Sequence, residues 1–173
     1  YRQGKLSYAE WVALDIASWR DAGATRDDIV ASFGELTLVA GARDTLRELK
    51  SRGVRLAVIS GTLDLMLDTL FPDHPFDEVY TNRIVFEPDG RISHWHATPF
   101  DMDGKGIALR SIALREDIPL SRCAFVGDHA NDLAAARLAG FSIAFNPKDA
   151  ELEAEASAVV RSRDLRDILP HLV

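Results

Sequence analysis

The segment Cys123-Ala124-Phe125-Val126-Gly127-Asp128-His129-Ala130-Asn131-Asp132 sets an unbroken apolar run directly against a glycine and two carboxylates. Cys123 to Val126 does not alternate, which predicts a parallel strand covered on both faces. Ala130 to Ala139 then reads as a helix closed by Gly140. The acids would sit at the carboxyl end of a strand, the edge of an open α/β sheet where ligands bind. Two carboxylates there, with Asn131 between them, suggest a hard cation such as Mg²⁺. A plainer reading makes Gly127-Asp128 a turn and Asp132 a solvated acid favoured by the helix dipole.

The rest of the chain repeats the strand and helix pattern. Ser7-Tyr8-Ala9-Glu10 is a capping-box signature, after which Tyr8, Trp11, Val12, Ile16 and Trp19 share one helical face. A second helix is expected from Thr25 to Phe33, and a third from Gly41 to Arg52, closed by Gly53. Arg55 to Ile59 reads as a strand ending at Ser60, followed by a helix over Leu63 to Leu70. A strand at Val79 to Thr81 leads to a hairpin turning at Pro88-Asp89-Gly90. The tail alternates again, with strands at Ser142 to Phe145 and Ala158 to Val160 and a last helix near Leu165 to Leu169. Such alternation predicts an α/β protein with a doubly wound parallel sheet.

Composition narrows the ligand class. A formal net charge of −7 and the lack of a long Lys/Arg cluster argue against nucleic acid or an anionic membrane surface. No apolar run is long enough to span a bilayer, so a cytoplasmic location is the default expectation. The single cysteine, Cys123, cannot form an internal disulfide, is expected in a buried strand, and agrees with a reducing compartment.

Three further features converge with the acidic loop. Val58-Ile59-Ser60-Gly61-Thr62 brings a hydroxyl and a glycine amide to a second strand end, and Lys105 opens a helix between the two strands. A hydroxyl, an amide, a cation and a metal-binding carboxylate together make a phosphate site. Ser60, Lys105 and Gly127-Asp128-His129-Ala130-Asn131-Asp132 match, in type and order, the second, third and fourth motifs of the haloacid dehalogenase superfamily. The chain resembles its phosphoserine phosphatase-like branch over essentially its whole length. The resemblance implies a Rossmann-like core at residues 41–173 and, at residues 1–40, part of the small helical cap inserted after the first motif.

That first motif, Asp-x-Asp-x-Thr on a central strand, has no counterpart before Ser60. Asp101-Met102-Asp103-Gly104 looks superficially similar, but Pro99 could not donate within a central ladder and Lys105 stands where Thr is expected. This segment reads instead as a loop leading into the Lys105 helix. Without the first strand, the strands ending at Ser60 and Asp128 would present unpaired apolar edges. The expectation is therefore that the nucleophilic strand lies on an upstream segment or is supplied as a separate chain, and that these residues alone are inactive.

By resemblance the reaction is Mg²⁺-dependent hydrolysis of a small phosphomonoester, phosphoserine-like, through an aspartyl-phosphate. Ser60 and Gly61 would bind the phosphoryl oxygens, Lys105 would neutralise them, Asp128 would hold the metal, and Asn131 and Asp132 would orient the phosphate, the lysine or metal-bound water. A phosphotransferase of the same fold and a non-catalytic phosphate-binding module are the alternatives. The aromatic stripe of the first helix is read as packing, Arg20 and Arg26 as surface residues, and His129 as solvent-facing. His94 and His96 share a hairpin face without a third ligand and are not read as a metal site.

Overall fold

The computed structural model describes residues 6–100 and 104–172; Asp101, Met102 and Asp103, where the rejected first-motif look-alike falls, lie outside the described residues. Helix α1 spans Tyr8–Asp21 and α2 spans Arg26–Ser32, each opened by a reciprocal capping box, Ser7 with Glu10 and Thr25 with Asp28. Each box satisfies amide groups that the first helical turn would otherwise leave orphaned. Helix α3, Ala42–Ser51, starts from Gly41 in the left-handed region at φ 74°, where a Cβ would also collide with the Asp164 carboxylate. Glycine is required there on both counts.

Strand β1 (Ala57–Leu63) pairs in parallel with β2 (Glu78–Phe86), and β2 forms an antiparallel hairpin with β3 (Ile92–His96). Helix α4, Asp64–Leu70, joins the first two strands, and α5, Gly104–Arg115, follows the hairpin. A second sheet is parallel throughout, in the order β4 (Ala124–Gly127), β5 (Phe141–Phe145) and β6 (Ala158–Val160). Helices α6 (Leu133–Leu138) and α7 (Ala150–Glu155) connect its strands, and a short α8 (Leu169–Leu172) ends the described chain.

The α/β class and parallel pairing expected from the sequence are present, but as two three-stranded sheets, with no ladder joining them among the described residues. Among the described residues, strands β1 and β4 each pair along one edge only. The free edge shows in burial: β5, paired on both sides, buries Ser142 to Phe145, whereas Val126 of β4 is 37 % exposed. Two expectations are corrected here. β4 is not covered on both faces, and Cys123 is only partly buried, just before the strand rather than within it, because no neighbour among the described residues flanks that edge. Burial still raises the Cys123 thiol pKa.

The apolar side chains divide into clusters. Tyr8, Val12 and Ile16 of α1 pack with Ile29 and Phe33, with Leu65 of α4, and with Ile84 and Ile92 of the hairpin. The two N-terminal helices thus share their core with β2 and β3, and the Arg26 amide donates to Gly90 O at the hairpin turn. The second sheet buries Leu133, Ala136, Ala144 and Leu152 on one cluster and Ile143, Phe145, Val160 and Ile168 on another. Each fully buried aliphatic side chain contributes about 1.5–3 kcal/mol relative to exposure. No helix among the described residues is long and apolar enough to cross a membrane.

Candidate active site

The carboxyl end of β4 is organised by one side chain. Asp132 is 2 % exposed; its Oδ2 accepts from the amides of Asp128 (2.8 Å) and His129 (3.1 Å), and its Oδ1 accepts from Lys105 Nζ at 2.7 Å. A glycine at 127 makes this possible, since a Cβ there would overlap the Asp132 carboxylate. A buried ion pair is stable only when its remaining hydrogen-bonding capacity is met, and the two amides do that for the acid. Lys105 uses one of its three ammonium donors on Asp132, and no other acceptor for it is found among the described residues. Helix α5 carries this lysine and packs against β1, α6 and the short turn at Ala130–Asp132, so it bridges the two sheets.

Asp128 lies at the same strand end, its side chain 48 % exposed and bonded to Lys148 Nζ at 2.7 Å. That bond raises the Lys148 pKa and keeps it charged. His129 faces solvent beside Asp149, as expected from the sequence, with Nδ1 3.0 Å from the carboxylate. Asn131 occupies the turn between the two acids.

Ser60 is not at the end of its strand. β1 runs on to Leu63, but the register slips: Ile59 faces Tyr80 and Leu63 faces Asn82, four residues on β1 against two on β2. Ser60, Gly61 and Thr62 therefore leave the regular ladder as a bulge, a device that re-aims side chains next to sites. The Ser60 hydroxyl oxygen accepts from the Thr62 amide at 3.2 Å, and its own proton has no acceptor among the described residues.

Two residues to which the sequence reading gave no role in the site hold this bulge. Tyr8 Oη donates to Gly61 O at 2.8 Å, and Asn82 Nδ2 donates to the same oxygen at 2.6 Å. Asn82 is 1 % exposed, and its Oδ1 accepts from the amide and hydroxyl of Thr98. The signal in the sequence was an amide residue within an otherwise strand-like run, Glu78 to Phe86; its partners lie in distant segments.

Above the bulge lies a cavity of about 530 Å³ between α1, α2 and Gly61-Thr62-Leu63. The aromatic stripe of α1 divides here. Tyr8 is buried in the core and Trp11 and Trp19 are 39 % and 38 % exposed, and all three line the cavity, so the stripe serves packing and cavity wall together. Arg20 and Arg26 do not line it: Arg20 pairs with Asp21 and lies over Trp95, 5.2 Å from the ring centre, and Arg26 pairs with Asp27.

Asp128 fits a hard divalent cation as a single ligand. It is a half-exposed carboxylate at a strand end, and Mg²⁺ commonly takes one or two carboxylates while keeping several waters. Among the described residues no group of three His, Cys, Asp or Glu side chains forms a complete metal site.

Comparison with known proteins shows the family. The family model for haloacid dehalogenase-like hydrolases matches residues 8–137. Phosphoserine phosphatase of Methanocaldococcus jannaschii is 30 % identical over 171 residues, 98 % of this chain and 79 % of that protein. Phosphoserine phosphatase SerB2 of Mycobacterium tuberculosis is 36 % identical over 157 residues, 90 % of this chain but 38 % of its own length. A solved substrate-bound phosphoserine phosphatase complex superposes with a TM-score of 0.80 at 29 % identity, over 98 % of this chain and 80 % of that one. The buried Lys105–Asp132 pair, the Ser60 bulge and the family match lead to one conclusion: this chain belongs to the haloacid dehalogenase-like hydrolases, in the phosphoserine phosphatase-like branch of phosphoric monoester hydrolases.

Proposed function

We propose that this chain carries the phosphate-binding half of a Mg²⁺-dependent phosphatase for small phosphomonoesters, working through an aspartyl-phosphate. The observation that carries the reading is the buried ion pair of Lys105 with Asp132, which aims an ammonium group at the end of β4 beside Asp128. The Ser60 hydroxyl and Gly61 amide would donate to two phosphoryl oxygens, and Lys105 would neutralise a third. Such groups accelerate phosphoryl transfer because they are held in place before charge develops. Asp132 acts as a positioning residue for Lys105 and for the Asp128 backbone, with Asn131 beside it to orient the phosphate. Mg²⁺ held by Asp128 would supply charge neutralisation at the phosphoryl group; Lys148 would have to yield its bond to Asp128 when the cation binds.

The nucleophilic aspartate would come from a further strand seated between β1 and β4, whose free edges support that place for it. Such a strand could be part of a longer chain or a separate one. Residues 1–40 would act as a helical cap over residues 41–173, and the negative net charge and lone cysteine favour a cytoplasmic small-molecule enzyme. Phosphoserine is the first ester to test because the relatives bear its name. In the full-length protein, Lys105→Ala and Asp128→Asn should each lower phosphate release about 10²–10³-fold. Full activity in Asp128→Asn would sink the metal assignment, and product phosphorylation of an added alcohol would mark a phosphotransferase.

A further inference from the structure

We propose that the cavity beneath α1 and α2 receives an alkylammonium group, so that the substrate is the phosphate ester of an amino alcohol without a carboxylate, of the choline phosphate type. The inference rests on the phosphatase reading above and names its substrate class. Trp11, Asp15 and Trp19 are spaced four residues apart on α1, which puts a carboxylate between two indoles along one helical row, and all three line the cavity. Asp15 is half-buried and has no ion pair or hydrogen-bond partner among the described residues. Helix α2 adds Phe33 and Asp28, whose carboxyl stays below the usual range because Thr25 donates to it. The cavity reaches Gly61, so its occupant would be continuous with a phosphate at Ser60.

The charge pattern decides the class. Two acids and four aromatic side chains, Tyr8, Trp11, Trp19 and Phe33, meet in this space, and no Lys or Arg lines it among the described residues. A carboxylate carried by the substrate would be brought beside Asp15, which is half-buried, and within the field of the exposed Asp28; like charges repel more strongly at the half-buried site than in water. A quaternary ammonium would meet the opposite conditions, an ionised acid and electron-rich ring faces. The volume of about 530 Å³ accommodates a trimethylammonium group with its ethyl arm.

The test is calorimetric titration of the protein with choline, with dimethylbutanol as its uncharged isostere, and with L-serine, followed in parallel by tryptophan fluorescence. Choline should bind about tenfold or more tightly than dimethylbutanol, and Asp15→Asn should remove that difference. Trp19→Leu should weaken choline as well, and it serves where Asp15→Asn fails to fold. Equal binding of the isostere, tighter binding of serine, or no binding of choline overturns the proposal. Phosphate release by the full-length enzyme separates the two levels. Turnover of p-nitrophenyl phosphate with phosphoserine preferred over choline phosphate refutes the alkylammonium assignment and leaves the phosphatase. Choline binding with no release from any ester removes the phosphatase reading, and the substrate assignment with it.

Discussion

The two ends of the site are held by opposite means. At β4, a buried ion pair and two amide bonds lock Asp132, Lys105 and the Asp128 backbone into one unit that tolerates no side chain at residue 127. At β1, a bulge is tied by neutral hydrogen bonds to Asn82 and Tyr8, and it opens onto an aromatic cavity in which Asp15 has no partner among the described residues. Charge stabilisation of a common phosphoryl group needs fixed geometry, whereas selection among leaving groups needs space that can be relined. The difference teaches that the reaction and its specificity can change independently in such a molecule.

The contrast is broken most directly at Asp132. Asp132→Ala strands Lys105 in a buried site and frees two amides, and should cost about 3–5 kcal/mol in urea unfolding. An unchanged midpoint would mean that the β4 end is not the rigid one. Asn82→Ala attacks the other end by leaving Gly61 O with one donor and the Thr98 amide with none. A loss of about 2 kcal/mol is expected from the same measurement. Trp19→Leu, on the cavity wall, should change stability by less than about 1 kcal/mol while altering ligand binding; a larger loss would make the wall structural.

The smallest effect lies far from both ends. Arg166 holds the Asp164 carboxyl down to about 2, below its ordinary 3.8. Because the folded-state value is depressed, its contribution is present above about pH 4 and is lost as pH falls through 2. Asp164→Asn should flatten that part of the acid melting curve by a small, measurable amount, and an identical curve would remove the assignment.

The β4 end was legible because its parts are close in sequence. Gly127, Asp128 and Asp132 fall within one turn, and an apolar run ending in glycine and acid announces a strand end wherever it occurs. Lys105 could be placed at a helix start, although its bond to Asp132 spans 27 residues and was visible only by resemblance. The β1 end was read less well. Ser60 was expected at the end of a strand that in fact continues to Leu63, because a register slip depends on the partner strand and leaves no mark in β1 itself.

Local periodicity in the sequence was enough to determine the order of helices and strands, the Ser7–Glu10 capping box, the hairpin turn at Asp89-Gly90 and the acidic loop, since each depends on contacts within a few residues. The tertiary structure alone decided that, among the described residues, the strands form two sheets with β1 and β4 at free edges, that Asn82 and Tyr8 grip Gly61, and that the aromatic stripe of α1 walls a cavity. Tyr8 lies 53 residues from the carbonyl it binds. A helical pattern reports which face is apolar, but what covers that face is set by chain brought from elsewhere.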